Sequence, residues 1–288
     1  MIVNCNMYKD LFAYRGEVNR DLFQKRDILS RVVGKIARIL HLPFLNNLND
    51  LSNPDDTIII FDDCVKEKRI NWLIANKYKE KRLVFYYWNP VSESINPKLL
   101  PPTFEKWSYS LTDCKKYGMN YNPTFSFKEL FDNTLLSPTN ISKYDVVFIG
   151  KDKGRKRPLN VIRKKLFEKG FKCFFYITPN HPKICLKHEL KGLKYSEVLE
   201  ITNQSKAILD FYKNPDTGFS LRVVEAVFLD KTLLTNNTEA LSFFGENKGV
   251  VDISCISASN FCNLTKAHFE EKTKEFFDYS SWIKRFET

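Results

Sequence analysis

Short apolar runs alternate with amphipathic segments along the second half of the chain. Residues 145–149 contain the run VVFI, which favours a buried parallel strand, and Gly150 ends it. A helix is predicted to begin at Pro158 and to stop at Gly170. Further strands are predicted over 171–177, 206–211 and 232–235, and further helices over 195–203 and 219–228. This alternation predicts right-handed β-α-β units in a parallel sheet, with ligands at the carboxyl ends of the strands.

The first half is less regular but follows the same pattern. Strands are predicted over 57–61 and 83–88, with a helix over 65–79 between them. Residues 21–40 alternate apolar pairs with Lys and Arg, as in a basic amphipathic helix that packs on a core or lies on a membrane. Asn, Thr, Ser and Pro cluster at residues 133–142 between the two halves.

The chain of 288 residues is long enough for two domains. We predict an α/β protein with two Rossmann-like domains, residues 1–138 and 139–288, whose last helix can pack back on the first domain. No apolar run approaches the roughly 20 residues of a transmembrane helix, and the polar residues near the start do not suit a secretory signal. These features favour a cytoplasmic protein. Seven cysteines without close C-x-x-C pairs suit reduced thiols, so neither disulfides nor a metal site is predicted.

The formal net charge of +11 calls for an anionic partner. Three classes qualify: nucleic acid, membrane headgroups and phosphorylated small molecules. Charge alone does not choose among them.

The loop GKDKGRKR at residues 150–157 is a first candidate for chemistry, because it follows a strand and precedes a helix. Glycines let the backbone approach phosphate oxygens, a helix N-terminus offers unpaired N–H groups, and Arg155 can make forked hydrogen bonds. The spacing is neither that of a Walker A loop nor G-x-G-x-x-G. A solvated basic turn or a nucleic-acid patch is the alternative.

The turn at residues 216–226, DTGFSLRVVEA, is a second candidate at a strand-to-helix junction. Thr217, Gly218 and Ser220 could bind phosphate, and the Glu225 carboxylate suits the two hydroxyls of a ribose. The alternative is a helix capped by Thr217, with Arg222 and Glu225 as a solvated pair. Both turns lie at carboxyl ends of strands in one sheet, so they can converge on one ligand.

With these motifs, the sequence resembles bacterial GT-B glycosyltransferase-like proteins of capsule, lipopolysaccharide and exopolysaccharide gene clusters. In the second half, the resemblance rests on VVFIGKDKGR (146–155), YSEVLEITNQSKAILDF (195–211), TGFSLRVVEA (217–226) and KTLLTN (231–236). In the first half it rests on DTIIIFDD (56–63), YYWNP (86–90) and WSYSLTDCKKYGMNYNP (107–123).

The resemblance implies two Rossmann-like domains facing a cleft, with the donor nucleotide in the C-terminal domain. It implies that Gly150, Asp152, Gly154 and Arg155 line the donor phosphates. It places Thr217, Gly218, Ser220, Arg222 and Glu225 at the ribose and phosphates. It also implies a hexosyl transfer in which positive side chains and a helix dipole stabilise the leaving group, without a metal ion or a cofactor.

One departure concerns the mechanism. Many retaining GT-B enzymes carry an E-x7-E pattern, but Thr217 stands eight residues before Glu225. An inverting reaction needs one general base, for which Asp62 and Asp63 at the end of a first-half strand are candidates. Capping of the following helix is the alternative role for both.

Trp88 and Asn89 also end a first-half strand and are candidates for acceptor or cleft contacts. Trp88 could stack on a sugar face and Asn89 could bind hydroxyl groups, although a core tryptophan and an Asn-Pro turn are the more common explanation of such residues.

The leading hypothesis is a sugar transferase that acts from a nucleotide sugar onto a cell-surface glycan or its lipid-linked precursor. Its partners would be the donor, the acceptor and the anionic inner membrane leaflet at the cytoplasmic face, with no nucleic acid. Two alternatives remain. One is a nucleic-acid-binding protein that uses its basic surface. The other is a non-catalytic GT-B-fold protein that only binds a precursor or a partner.

Overall fold

Two parallel β-sheets organise the residues that the computed structural model describes, namely 2–3, 8, 12, 19–20, 57–65, 68–135, 142–180, 192–245, 249–257, 264 and 267–287. The basic helix predicted over 21–40 lies outside these ranges. The chain divides into two units, the first with Met1–Ser108 and Asp113–Asn120, the second with Tyr109–Thr112 and Tyr121–Thr288. The second unit thus begins before the boundary that the sequence suggests at residues 138–139.

The first unit contains a parallel sheet with helices between its strands. Its strands are β1 (Ile2–Val3), β2 (Asn19–Arg20), β3 (Thr57–Phe61), β4 (Arg82–Tyr87), β5 (Phe104–Ser108) and β6 (Asn120–Tyr121). Its helices are α1 (Lys68–Lys77) and α2 (Leu111–Tyr117), with 3-10 turns at Val91–Glu93 and Pro97–Leu99. The described strands run in the order β2-β1-β3-β4-β5-β6. In this order, each neighbouring pair from β2 to β5, including both pairs made by β1, is parallel. Residues 58–61 of β3 and 83–87 of β4 are buried, as expected for strands covered on both faces.

The second unit contains the second parallel sheet. Its strands are β7 (Tyr144–Lys151), β8 (Cys173–Thr178), β9 (Ser205–Asp210), β10 (Thr232–Thr235) and β11 (Val250–Asp252). Its helices are α3 (Lys128–Leu135), α4 (Lys156–Glu168), α5 (Tyr195–Asn203), α6 (Leu221–Phe228), α7 (Thr238–Phe244), α8 (Glu271–Phe277) and α9 (Tyr279–Lys284), with a 3-10 turn at Ile253–Ser257. The order is β11-β10-β9-β7-β8, and each neighbouring pair is parallel. The predicted fold class of parallel α/β units is confirmed.

Alternate residues of the second sheet bury into two apolar clusters, one on each face. Val146 and Phe148 of β7 pack with Leu159 and Leu166 of α4. Val147, between them in sequence, instead packs with the apolar residues of α6. Because strand side chains alternate with period two, this distribution places α4 and α6 on opposite faces of the sheet.

Local chemistry sets the bounds of α4. The Asp152 carboxylate accepts the Lys156 N–H at 2.7 Å, and Pro158 lies in the first turn, where its missing N–H costs nothing. At the other end Gly170 has a φ of +83°, a left-handed conformation that glycine adopts readily. The helix predicted between Pro158 and Gly170 is confirmed, with its start two residues earlier.

The last helix packs on a segment that precedes α3. The Trp282 ring lies 4.2 Å from the Phe125 ring, and the Asn122 side chain donates to the Trp282 carbonyl at 3.0 Å. These contacts explain why the segment from Tyr121 onward belongs to the second unit. None of the helices in the described ranges is long and apolar enough to cross a bilayer.

Candidate functional site

Strand order fixes where a ligand of the second unit is expected. The chain passes from β7 outward to β8 and then returns to β9 on the other side of β7. In open α/β sheets this reversal opens a crevice at the carboxyl ends of the two diverging strands. Gly150 and Lys151 end β7, and Asp210 ends β9. The candidate site therefore lies where these three residues meet.

Asp210 holds Arg222 at this crevice. The Asp210 side chain is fully buried, and its Oδ1 accepts hydrogen bonds from Arg222 Nε at 3.1 Å and from Ser220 Oγ at 2.8 Å. Its Oδ2 accepts from Thr235 Oγ1 at 3.1 Å. The terminal nitrogens Nη1 and Nη2 of Arg222 have no hydrogen-bond partner among the described residues. Within the part of the chain that the structure describes, both terminal nitrogens of Arg222 are therefore left available at the crevice.

Burial opposes the charge of Arg222, but the Asp210 carboxylate, together with Tyr212 and Glu225, outweighs this effect and holds the pKa of Arg222 above its usual value. The guanidinium is charged at all physiological pH values. Asp210 thus supplies both orientation and charge compensation for a largely buried cation.

Arg155, unlike Arg222, uses all of its side-chain nitrogens in hydrogen bonds within the protein. Its three nitrogens donate to backbone carbonyls, Nη1 to Phe211 at 2.6 Å, Nη2 to Lys151 at 2.8 Å and Nε to Asp152 at 3.3 Å. These bonds tie the end of β7 to the end of β9. Burial and, next, the charge of Arg222 lower the pKa of Arg155 to about 10. Arg155 is consequently a structural tie that also adds positive charge to the crevice.

Phe148 and Gly150 bring the two guanidinium groups together. Each guanidinium carbon lies 5.3 Å from the centre of the Phe148 ring, a cation–π distance. A Cβ at Gly150 would lie 3.3 Å from Arg222 Nη1 and 3.7 Å from Arg155 Nη2. Because glycine has no side chain, both positively charged groups can approach the same backbone position. A bound anion would relieve their repulsion.

The turn before α6 is fixed by close packing. A Cβ at Gly218 would lie 2.3 Å from the Tyr109 carbonyl oxygen, and the Thr217 and Tyr109 hydroxyls are 3.0 Å apart. Asn237 donates to the carbonyls of Thr217 at 3.1 Å and Gly218 at 3.0 Å. Ser220 caps α6 by accepting the Arg222 N–H at 3.1 Å. Thr217, Gly218 and Ser220 thus fix the conformation of the turn. Direct contact between these residues and a nucleotide sugar stays a prediction.

We expect Gly218→Ala to lower the free energy of unfolding by about 3 kcal/mol, because its methyl group would overlap a backbone oxygen that cannot rotate away. Gly192→Ala is the matched control, since nothing lies within 4 Å of a Cβ there. Urea denaturation monitored by circular dichroism would measure both. Equal stability of the two variants would contradict the packing described for the turn.

Asp152 and Gly154 lie in the turn that starts α4. Lys153 and Gly154 both have positive φ, 45° and 74°, and the Lys153 N–H donates to Asn180 Oδ1 at 2.7 Å. A Cβ at Gly154 would lie 3.9 Å from the Lys213 ammonium nitrogen. The basic loop is therefore next to a further lysine from the segment after β9.

Glu225 lies one turn beyond Arg222 in α6 and is only 4% exposed. Burial raises the pKa of Glu225 to about 7, while the Arg222 charge and the Tyr195 hydroxyl act in the opposite direction. Because the folded state favours the protonated carboxyl, this stabilisation is complete below the ordinary pKa of 4.5 and is lost as pH rises through 7.

We therefore expect Glu225→Gln to stabilise the protein at pH 8 by about 2 kcal/mol and to flatten the fall in stability between pH 5 and pH 8. Urea denaturation at half-unit pH steps would measure both effects. In this variant a smaller fall in stability would remain at lower pH, because burial raises the pKa of Asp62 to about 6. A wild-type slope retained in Glu225→Gln would contradict the assignment.

In the first unit, the structure brings Asp62, Trp88 and Asn89 together. Asp62 is fully buried, and its Oδ1 accepts the Trp88 N–H at 2.8 Å, while Asn89 Nδ2 lies 3.4 Å from both carboxylate oxygens. Burial raises the pKa of Asp62 to about 6 against the hydrogen bonds from Trp88 and Ser94. Asp63 is exposed and accepts a hydrogen bond from the Cys64 thiol at 3.2 Å. The two predicted bases therefore differ in their access to solvent.

The Trp88 ring belongs to an aromatic cluster. Its centre lies 5.6 Å from that of Phe61, 6.1 Å from Tyr86 and 6.3 Å from Tyr8. The ring is thus held in place on three sides, and its contact with an acceptor stays a prediction.

Sequence reasoning missed Phe148, Asp210, Tyr109 and Asn237. Asp210 and Asn237 stand at or just after the ends of predicted parallel strands, a position that could have indicated them. Phe148 reads as a core residue, and Tyr109 is distant from the turn in sequence. No group of three His, Cys, Asp or Glu side chains in the described ranges is arranged to hold a metal ion.

The chain matches no protein-family profile and no curated protein sequence. Its structure is similar to one described as "alpha-glucosyltransferase in complex with UDP-glucose and DNA containing an abasic site". The TM-score is 0.53 at 12% identity, over 97% of this chain and 93% of that one. A more distant likeness is to "Spinosyn Forosaminyltransferase SpnP", with a TM-score of 0.31 at 9% identity, over 91% and 78% of the two chains. The first likeness shows the fold alone, an α/β fold with parallel sheets that matches the GT-B type.

Proposed function

We propose that this protein is a glycosyltransferase that moves a sugar, of hexosyl type, from a nucleotide-sugar donor to an acceptor. One observation carries the proposal. Arg222 presents two terminal nitrogens without a hydrogen-bond partner among the described residues at the β7–β9 crevice, close to a second guanidinium and to Gly150. Paired cations in a largely buried site suit a diphosphate, which carries charge and several acceptor oxygens. The likeness in fold to a glucosyltransferase supports the same reading.

In the proposed reaction, bond cleavage leaves negative charge on the nucleoside diphosphate. Arg222 would bind the oxygens that gain this charge, and Arg155 would add field from a fixed position. Exposed Lys153 and Lys213 lie around the same loop. We propose that these cations act without a metal ion. Contact of Glu225 with the ribose hydroxyls stays a prediction, because its side chain is buried.

For the acceptor, we propose a cell-surface polysaccharide or lipopolysaccharide precursor at the cytoplasmic face of the membrane. The resemblance of the sequence motifs to those of capsule and lipopolysaccharide proteins supports this choice. Of the two aspartates, Asp63 is the one whose carboxylate is open to solvent and can take a proton from an acceptor hydroxyl. Asp62 would position Trp88 and Asn89. Asp63→Asn should then abolish transfer while leaving donor binding intact.

Calorimetry with a panel of UDP, GDP, CMP and dTDP sugars tests the donor. We expect one nucleotide class to bind, and its diphosphate to bind more tightly than its monophosphate, because the second phosphate supplies further acceptor oxygens. Arg163→Ala, which removes an exposed cation from α4, is the matched control for loss of charge. Absence of binding to every donor would refute the proposal.

A second acceptor class, DNA, is favoured by two observations. The similar alpha-glucosyltransferase was solved with DNA, and the present chain has a net charge of +11. Once the donor is known, labelled sugar can be offered with a membrane extract or with duplex DNA. Label in the lipid-linked fraction supports the glycan acceptor, whereas label in DNA replaces it with the second candidate.

A further inference from the structure

The positive charge of the chain is concentrated around α4. Residues 151–172 contain ten Lys or Arg against two Asp or Glu, a net +8, whereas the whole chain has +11. One face of α4 carries Arg157, Val161 and Lys164 at spacings i, i+4 and i+7, and Phe167 follows Lys164 by three residues. All four side chains are exposed. We call this set the α4 outer face.

Two apolar side chains on the α4 outer face are unusually accessible. Phe167 is 75% exposed, more than any other large apolar residue among those described, and Val161 is 51% exposed. The opposite face of α4 packs in the core, where Leu159, Ile162 and Leu166 are buried. The ring of Phe167 lies among cations, of which Lys164 is 3.8 Å from the Glu168 carboxylate, and an exposed ring among cations suits contact with a bilayer surface.

We propose that the α4 outer face docks on an anionic lipid bilayer. Arg157 and Lys164 would attract the headgroups, and Phe167 with Val161 would enter the boundary between headgroups and acyl chains. A nucleic acid is the less suitable occupant, because a duplex phosphate backbone offers no apolar environment for Phe167. The inference rests on the proposed function only in that a lipid-linked acceptor gives the docking a use. Membrane binding itself does not require the donor site.

Sedimentation of the full-length protein with vesicles tests the proposal. We expect binding to vesicles of phosphatidylcholine with phosphatidylglycerol, weak binding to phosphatidylcholine alone, and loss of binding as salt rises. Arg157→Gln/Lys164→Gln should weaken the partition coefficient about 30-fold, from the effect of two charges near an anionic surface. Lys79→Gln/Lys115→Gln removes the same charge from exposed positions of the first unit and should have little effect.

The apolar contribution is tested separately. Phe167→Ser should weaken vesicle binding about tenfold. Leu99→Ser, at an apolar residue 44% exposed in the first unit, is its control. Arg222→Ala should bind vesicles as the wild type does, so failure of the donor proposal and failure of this one remain distinguishable.

Three results would overturn the docking proposal. One is equal binding to neutral and anionic vesicles, and another is equal loss in the α4 and control variants. The third is tight binding of a DNA or RNA oligonucleotide, lost in Arg157→Gln/Lys164→Gln, without any binding to vesicles. That result would identify the α4 outer face as a nucleic-acid surface.

Discussion

Arg222→Ala is expected to weaken donor binding about 100-fold, because it removes two charge-assisted hydrogen bonds from a largely buried site. If transfer is measured, the loss in turnover should reach about 10² to 10³, since the same nitrogens would face the charge that develops on the leaving group. Calorimetry with the donor and a turnover assay measure these two effects separately.

Arg222→Lys is the informative companion variant. It keeps the positive charge but loses the planar fork and the Nε bond to Asp210, so binding should be only partly restored. Arg163→Ala, on the exposed side of α4, should bind donor as the wild type does. Unchanged donor affinity in Arg222→Ala would remove this residue from the site and with it the main support for the proposed function.

The strands and helices of the second half could be predicted from sequence, because the spacing of apolar residues within each element is a local property of the chain. The helix over Tyr195–Asn203 and the strand over Thr232–Thr235 have the predicted bounds. In the first half, the strand over Thr57–Phe61 is also as predicted, whereas the helix predicted over 65–79 is shorter, at Lys68–Lys77. Helix ends depend on caps and tertiary contacts, which hydrophobic periodicity does not encode.

The division of labour between the two arginines could not be predicted. Both follow parallel strands and both suit a phosphate, and the sequence favours Arg155 because it stands in a glycine-rich basic loop. In the structure the three nitrogens of Arg155 donate to carbonyls from both β7 and the segment after β9. This choice depends on which strands are neighbours, and the strand order emerges only from the folded sheet.

The turn before α6 shows the same limit. Thr217 and Gly218 read as phosphate-binding residues, yet the group that requires a glycine there is the Tyr109 carbonyl, 109 positions earlier. A contact at such sequence separation leaves no local pattern. By contrast, the resemblance to GT-B proteins indicated the fold class through short motifs, each of which spans neighbouring strands, helices and turns.

Asp210→Ala is expected to lower the free energy of unfolding by about 3 to 5 kcal/mol, because it leaves the Arg222 cation without its buried partner. The hydroxyls of Ser220 and Thr235 would lose their acceptor as well. Thr235→Val and Ser220→Ala each remove one of these bonds and also a bond from a backbone N–H, of Asn237 and Arg222 respectively, and should cost about 2 kcal/mol. Urea denaturation would rank the three variants.

The double variant Asp210→Ala/Arg222→Met separates the ion pair from ordinary packing loss. If Asp210 acts through the charge of Arg222, removal of both charges should be less destabilising than the sum of the single variants by about 1 to 3 kcal/mol. Strict additivity would mean that the 3.1 Å contact contributes no coupling, and that Asp210 does not orient Arg222. In that case Asp210→Ala should also leave donor affinity unchanged. A coupled result would instead explain why a fully buried carboxylate lies at the end of β9, directly beside the cation of the proposed donor site.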